Sequence, residues 1–241
     1  MDGPLTLLAL DTSTPRAAVA LATAAGAVFV RSPDPAARHG RSLLPAVRDL
    51  LASAGLTPRD LDGIVVGLGP GSYTGLRVGV TAAKTLAYAL KKPIAGFDSL
   101  EAVARNAPPL ALRISAISDA QRGDLYAADF ARDAHGSPLV RSTETRVVRF
   151  DEWAAALSPG TLVLGPAAAL ERVAAALPPT AELPDDPDAH WPDPTRLASF
   201  AREIWDSGRR EDVWFLEPVY LRRSSAEEQW ERRTSPAGGP S

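Results

Sequence analysis

The sequence predicts an α/β protein of two lobes built on one plan, and two observations predict it. Short apolar runs bounded by turn residues alternate with segments whose apolar residues recur at helical spacing. Up to residue 106 the order is strand, strand, strand, helix, strand, helix, strand, helix. Beyond Asn106-Ala107-Pro108-Pro109 the chain faintly repeats itself. Ile114 to Ile117, then Ser118 to Asp124, then Leu125 to Phe130 echo the first strand, acidic polar turn and second strand. Thr161 to Pro166, followed by an alanine-rich segment, echoes the strand and glycine loop near residue 65 without its further glycines. The expected division is 1–106 for a first lobe and 107–190 for a smaller, degenerate second lobe. Residues 191–223 then supply a helix and extended segment packing back on the body, and 224–241 a disordered polar tail.

Each element has a local reason. Leu5 to Leu10, Ala17 to Ala22 and Ala27 to Val30 are three apolar runs separated by turn residues, as in an antiparallel meander. Leu43, Leu44, Val47, Leu50, Leu51 and Ala54 share one helical face that Gly55 terminates, and Pro45 belongs in the first turn or kinks the helix. Ile64 to Val66 is β-branched and empties into glycines, after which Leu76, Val80, Ala83, Ala87 and Leu90 form a narrow helical seam. Alanines keep the girth of that helix small, which suits close approach by its own sheet or by a helix of another subunit. Pro93 to Phe97 reads as a strand, and Asp98 with Glu101 as a capping box for the next helix. Asp193-Pro194 caps a helix bearing Leu197, Phe200, Ala201, Ile204 and Trp205 on one face, and Val213 to Leu221 is extended.

Composition narrows the function. The 241 residues are 45% hydrophobic and 23% charged with a net charge of −3, the profile of an ordinary soluble globular protein. No apolar run approaches the ~20 residues of a membrane span, and the N-terminal run has no basic region before it, so neither a membrane segment nor a signal peptide is expected and the cytoplasm is the default. Zero cysteines remove disulfides, thiolate metal sites and cysteine nucleophiles together. Acidic and basic residues are interspersed, unlike the basic footprint of a chain that grips nucleic acid alone.

The stretch with most chemical content is Gly67-Leu68-Gly69-Pro70-Gly71-Ser72-Tyr73-Thr74-Gly75. A stiff glycine loop before a helix can cradle a phosphate on backbone N–H groups, or can simply let strand and helix pack closely. It lacks the spacing of a P-loop or a dinucleotide fingerprint. Asp11-Thr12-Ser13-Thr14 offers a carboxylate and hydroxyls at a strand end, suited either to a hydrated metal or phosphate or to plain turn chemistry. The candidate phosphate-binding residues are Asp11, Thr12, Gly69, Gly71 and Ser72. His39 has no second histidine at helical spacing, so a capping or interface role outweighs metal binding and no metal site is expected.

In order, Leu8-Ala9-Leu10-Asp11-Thr12-Ser13-Thr14, His39 before Leu43-Leu44-Pro45, Gly69 to Arg77, Ser99-Leu100-Glu101-Ala102, Asp119-Ala120-Gln121-Arg122 before Leu125-Tyr126, and Pro218-Val219-Tyr220-Leu221-Arg222 carry a family resemblance. From about residue 5 to 222 the chain resembles the TsaB (YeaZ) family, bacterial accessory proteins of tRNA threonylcarbamoyladenosine synthesis. The resemblance implies an α/β, actin-like fold of the ASKHA (sugar kinase and Hsp70) superfamily. It also implies a non-catalytic partner of TsaD, the subunit that transfers the threonylcarbamoyl group to adenosine 37 of tRNAs reading codons that begin with A. TsaD holds its metal with histidines on the matching helix, where this chain offers no pair. The implied contact runs through the helices near residues 40–54 and 75–91, with His39, Leu43, Val47, Leu50, Leu76, Val80, Ala83 and Ala87 as the interface. The same helices could make a homodimer. TsaE, an ATPase, would join the pair, tRNA would be met only within the complex, and no cofactor is intrinsic, with ATP or ADP placed at most at the junction with TsaD. One departure is Gly40-Arg41, where the family usually has Ser-Glu. The competing reading is a nucleotide-dependent enzyme with Asp11 and Thr12 near a metal; against it, Gly165-Pro166-Ala167 lacks a second glycine-rich loop. A peptidase finds no nucleophile and base pair.

Overall fold

The computed structural model describes residues 5–33, 39–166 and 173–222. The first sheet has the order β3-β2-β1-β4-β5, formed by Leu7–Asp11 (β1), Ala18–Ala22 (β2), Val28–Arg31 (β3), Gly63–Gly67 (β4) and Ile94–Phe97 (β5). β1 pairs antiparallel with β2 and β2 with β3, which is the expected meander, and β4 and β5 add in parallel. The period-2 rule divides the core of this lobe. Leu8, Leu10, Val19, Leu21, Ile64 and Val66 face helices α1 (His39–Ser53) and α2 (Tyr73–Leu90). Leu7, Ala9, Ala18, Ala20 and Val65 face helix α5 (Pro194–Asp206) on the other side. Small side chains there admit Phe200 and Trp205; a Cβ on Gly63 would lie 1.8 Å from the Trp205 ring.

α1 starts at His39, which puts Pro45 in its second turn instead of the first. Gly55, at φ +70°, closes the helix, and the next N–H, that of Leu56, returns to the Leu51 carbonyl.

The second sheet repeats the first. Arg113–Asp119 (β6) pairs antiparallel with Asp124–Ala131 (β7) and parallel with Thr161–Leu164 (β10), as β1 does with β2 and β4. Val140–Arg141 (β8) and Arg146–Arg149 (β9) both pair with β7 in the place of β3. Helix α4 (Phe150–Ala156) covers one face with Trp153, whose Nε1 donates to Ser115 Oγ at 3.0 Å. The alanine-rich helix expected after Pro166 falls largely on 167–172, and the expected tail on 224–241; both lie outside the described residues.

Helix α3 (Ser99–Ala104) lies just before the expected boundary at 106 and packs on both sides of it. Leu100, Val103 and Ala104 enter the core of the second sheet with Ile114, Ala116 and Phe130, while Ala102 faces α5. α3 is therefore a wedge between the lobes. The Asp98 carboxylate caps it through the Leu100 N–H at 2.8 Å. The expected reciprocal partner, Glu101, instead accepts from Arg105 and from Arg141 of β8, because charge-assisted bonds to two guanidinium groups outcompete a backbone N–H. Asp98 also takes Thr145 and Arg141 from the second lobe.

Candidate functional site

Four turns from two lobes meet at one cleft. Its first-lobe wall is Ser13 and Thr14 after β1 with Gly71 and Ser72 after β4; its second-lobe wall is Ser118 to Arg122 at the end of β6 with Pro166 after β10. Val219, Tyr220 and Arg222 close one side, and the cavity holds about 470 Å³. The duplicated topology produces this convergence, since equivalent strand ends face each other.

The first-lobe turn is sealed. Asp11 and Thr12 are buried, at 0% and 1% exposure. Asp11 Oδ1 accepts from the Ser13 N–H at 2.8 Å and the Ser13 hydroxyl at 2.6 Å. Burial pushes the Asp11 carboxyl up from its ordinary value, and the hydrogen bonds from Ser13 pull it partly back. Over the turn lies the glycine loop, held close enough that added side chains would collide. A Cβ on Gly67 would lie 2.2 Å from Asp11 Oδ2, on Gly71 2.3 Å from the Ser13 carbonyl, and on Gly75 2.1 Å from the Thr12 carbonyl. Three amides of this stretch are correspondingly engaged. The Ser72 N–H donates to the Ser13 carbonyl at 2.7 Å, the Gly75 N–H to Ser72 Oγ at 3.2 Å, and the Gly69 N–H to Ser99 Oγ at 3.2 Å. Thr12 Oγ1 donates to the Gly75 carbonyl at 2.8 Å.

Among the five candidate phosphate residues, then, Gly71 and Ser72 reach the cleft, whereas Asp11, Thr12 and Gly69 lie beneath it. The physical reason is that the glycines let the start of α2 press directly on the β1 turn.

The second-lobe turn is open and carries cleft residues that were not among the candidates. Gln121 and Arg122 stand at φ +65° and +56°, followed by Gly123 at +92°. Non-glycine residues occupy that region only when their surroundings insist. Here Asp119 Oδ1 accepts the Gln121 N–H at 2.8 Å, and Arg222 Nη1 donates to the carbonyls of Ala120 (2.8 Å) and Gln121 (3.1 Å) and to Asp124 Oδ2 (3.2 Å). The signal was present as the echo of Asp11 to Ser13 in Asp119 to Gln121.

Arg222 ends a strap that begins at Asp212. Lys84 Nζ of α2 donates to the carbonyls of Trp214 (3.3 Å) and Leu216 (2.8 Å), and the Val219 N–H donates to the Leu68 carbonyl at 2.8 Å. Tyr220 stacks on Tyr73 at 4.7 Å and accepts from Arg77 Nε at 3.2 Å. The segment expected to be extended is therefore a brace from α2 to the second lobe.

The interface candidates are placed differently from expectation. Leu43, Val47, Leu50, Leu76, Val80, Ala83 and Ala87 are all at most 4% exposed, and they fill the chain's own core. The apolar spacing marks the face that covers the sheet, so these side chains are not available to a partner in this fold. His39 is the first residue of α1, and its side chain lies outside the described residues. What the helix pair does leave open is a groove of about 430 Å³ between α1 and α2, bordered by Gly40, Leu44, Val78, Ala82 and Leu86, with Leu44 53% exposed. Among the described residues no cluster of three or more His, Cys, Asp or Glu side chains could hold a metal ion. No helix among them is long and apolar enough to cross a membrane.

Duplicated mixed sheets with facing turns, a helix pair on one lobe and a wedge between them define a class of two-lobed α/β proteins built on one repeated plan. Within it, a family model described as TsaD, tRNA N6-adenosine threonylcarbamoyltransferase, matches residues 31–184. The chain is 34% identical over 230 residues to the tRNA threonylcarbamoyladenosine biosynthesis protein TsaB of Bacillus subtilis (strain 168), covering 94% of this chain and 98% of that one. YeaZ from Pseudomonas aeruginosa is similar in structure at a TM-score of 0.78 and 29% identity, over 90% of this chain and 100% of that one. The TsaB of Escherichia coli (strain K12) is 35% identical over 134 residues, 54% of this chain and 57% of that one. The chain belongs to the TsaB (YeaZ) family.

Proposed function

We propose that this chain acts in tRNA threonylcarbamoyladenosine biosynthesis as a non-catalytic partner that binds and activates TsaD. The observation that carries the reading is the open apolar groove between α1 and α2, which no described residue covers. A groove between two helices is the geometry that receives an amphipathic helix or helix pair. The same groove would serve a homodimer in the absence of TsaD. A non-catalytic role is supported by the buried first-lobe turn: a carboxylate at 0% exposure, with the amides of Gly69, Ser72 and Gly75 bonded within the chain, is poorly arranged for a metal. ATP or ADP, if used, would sit at the junction with TsaD, TsaE would join the assembled pair, and tRNA would be met within that assembly.

Leu44→Glu tests this directly. Leu44 is exposed, so the variant should fold with wild-type stability to within about 0.5 kcal/mol and yet fail to co-elute with TsaD on size-exclusion chromatography. Co-elution of folded Leu44→Glu would place the docking surface elsewhere. Micromolar ATP binding by the isolated chain in calorimetry would instead favour the nucleotide-dependent enzyme.

A further inference from the structure

We infer that the docking surface does not end at the groove but crosses α2 onto an aromatic ledge formed by Tyr88, Trp214 and Phe215, and that this ledge receives a basic end of the same partner helix. The inference rests on the docking reading above and extends it.

Three observations carry it. The ledge is large and uncovered: Tyr88 is 62% exposed, Trp214 66% and Phe215 82%. Aromatic side chains of this size each offer on the order of 150–250 Å² when covered, and patches of a few hundred Å² on a monomer usually mark an interaction site. The backbone that carries the ledge is also held in place. The Trp214 N–H donates to Asp212 Oδ1 at 2.8 Å, the N–H groups of Phe215 and Leu216 return to the Asp212 carbonyl, and Lys84 ties the carbonyls of Trp214 and Leu216 to α2. Leu216 is buried in the core while Trp214 meets Tyr88 edge to face at 5.1 Å. Aromatics fixed in place before binding lose little entropy on contact, which is the property of binding hot spots.

Third, the ledge is continuous with the groove. Arg77, Thr81, Thr85 and Tyr88 form one exposed ridge of α2 at steps of four, four and three. Its first three residues border the groove, and Tyr88, one turn further on, carries the ledge. A helix laid along α2 would therefore meet Leu44 and Leu86 first and Trp214 at its end. The groove alone is short against the roughly 800 Å² per partner of a stable interface, and the ledge supplies the missing stretch. The exposed Asp212 and Glu217 flank the two strap aromatics in sequence. Open aromatic faces attract a lysine or arginine by cation–π interaction, and exposed carboxylates on the same segment add charge attraction.

The test measures affinity for TsaD by calorimetry with the full chain. A Trp214→Ala, Phe215→Ala double variant should melt like wild type and bind about ten-fold or more weakly. The Glu217→Gln variant should bind less tightly than wild type at low salt and equally at high salt. If Leu44→Glu abolishes the complex but the double variant binds like wild type, the ledge is overturned and the groove stands. If Leu44→Glu leaves the complex intact, the docking reading falls and the ledge with it. Equal affinity of Glu217→Gln and wild type at both salt concentrations overturns the basic partner residue.

Discussion

Asp11 and Asp119 end the first strand of their respective lobes, and each accepts the N–H two residues on at 2.8 Å. The turns are chemically the same, yet Asp11 is fully buried and Asp119 is exposed. The difference lies in what covers them. In the first lobe Gly67, Gly71, Gly75 and Gly79 bring the loop and α2 down on the turn. In the second lobe only Gly165 keeps such an approach, 2.1 Å from the Ile117 carbonyl for an added Cβ. A glycine loop that looks like a ligand cradle can thus be a lid, and the side of the cleft without the lid is the one open to solvent.

The lid can be broken at several strengths. Leu76→Glu should have the largest effect, because it sets a carboxylate at a 1%-exposed position of the helix that carries the lid. A cost above about 4 kcal/mol is expected, seen as loss of cooperative unfolding by circular dichroism. Leu76 and Ala83 therefore cannot serve as clean probes of docking. Gly75→Ala comes next at about 3 kcal/mol, from collision with a backbone carbonyl. Gly123→Ala, with open space around it but φ of +92°, should cost about 1 kcal/mol, both variants being measured by urea titration. Comparable losses at both would mean that the first-lobe contact is not special.

Asp11→Ala should cost about 2 kcal/mol by orphaning the Ser13 donors, and Asp119→Ala about 0.5 kcal/mol. The smallest effect is in pH. The folded Asp11 carboxyl binds its proton more tightly than the unfolded one, so above the unfolded value the native state holds the extra proton. Stability then falls as pH rises through the interval between unfolded and folded values and levels off above it. Asp11→Asn should flatten that slope in melts between pH 3 and pH 7, and an unchanged slope would assign it to another group.

Much of the fold was legible because it rests on local rules. Short apolar runs bounded by turn residues located the meander and β4, the seam through Leu76 and Val80 located α2, and the Asp193-Pro194 cap located α5. The duplicated turns were legible as an echo. What the pattern could not say is which body an apolar face covers: Leu43 and Leu76 repeat equally well against a sheet or a partner. Glu101 was misassigned because Arg141, forty residues away, competes for it. The cleft residues Gln121 and Arg122 owe their position to backbone conformation, which no side-chain spacing reports.

The strap has a mechanical consequence. Two rigid bodies joined at one point can rotate about any axis, but two joints leave only the rotation about the line between them. The lobes meet at the start of α3, where Asp98 holds Thr145 and Arg141, and again where Arg222 grips the carbonyls of Ala120 and Gln121. The strap therefore adds a second tie between the lobes, at the cleft itself, beside the one at the start of α3.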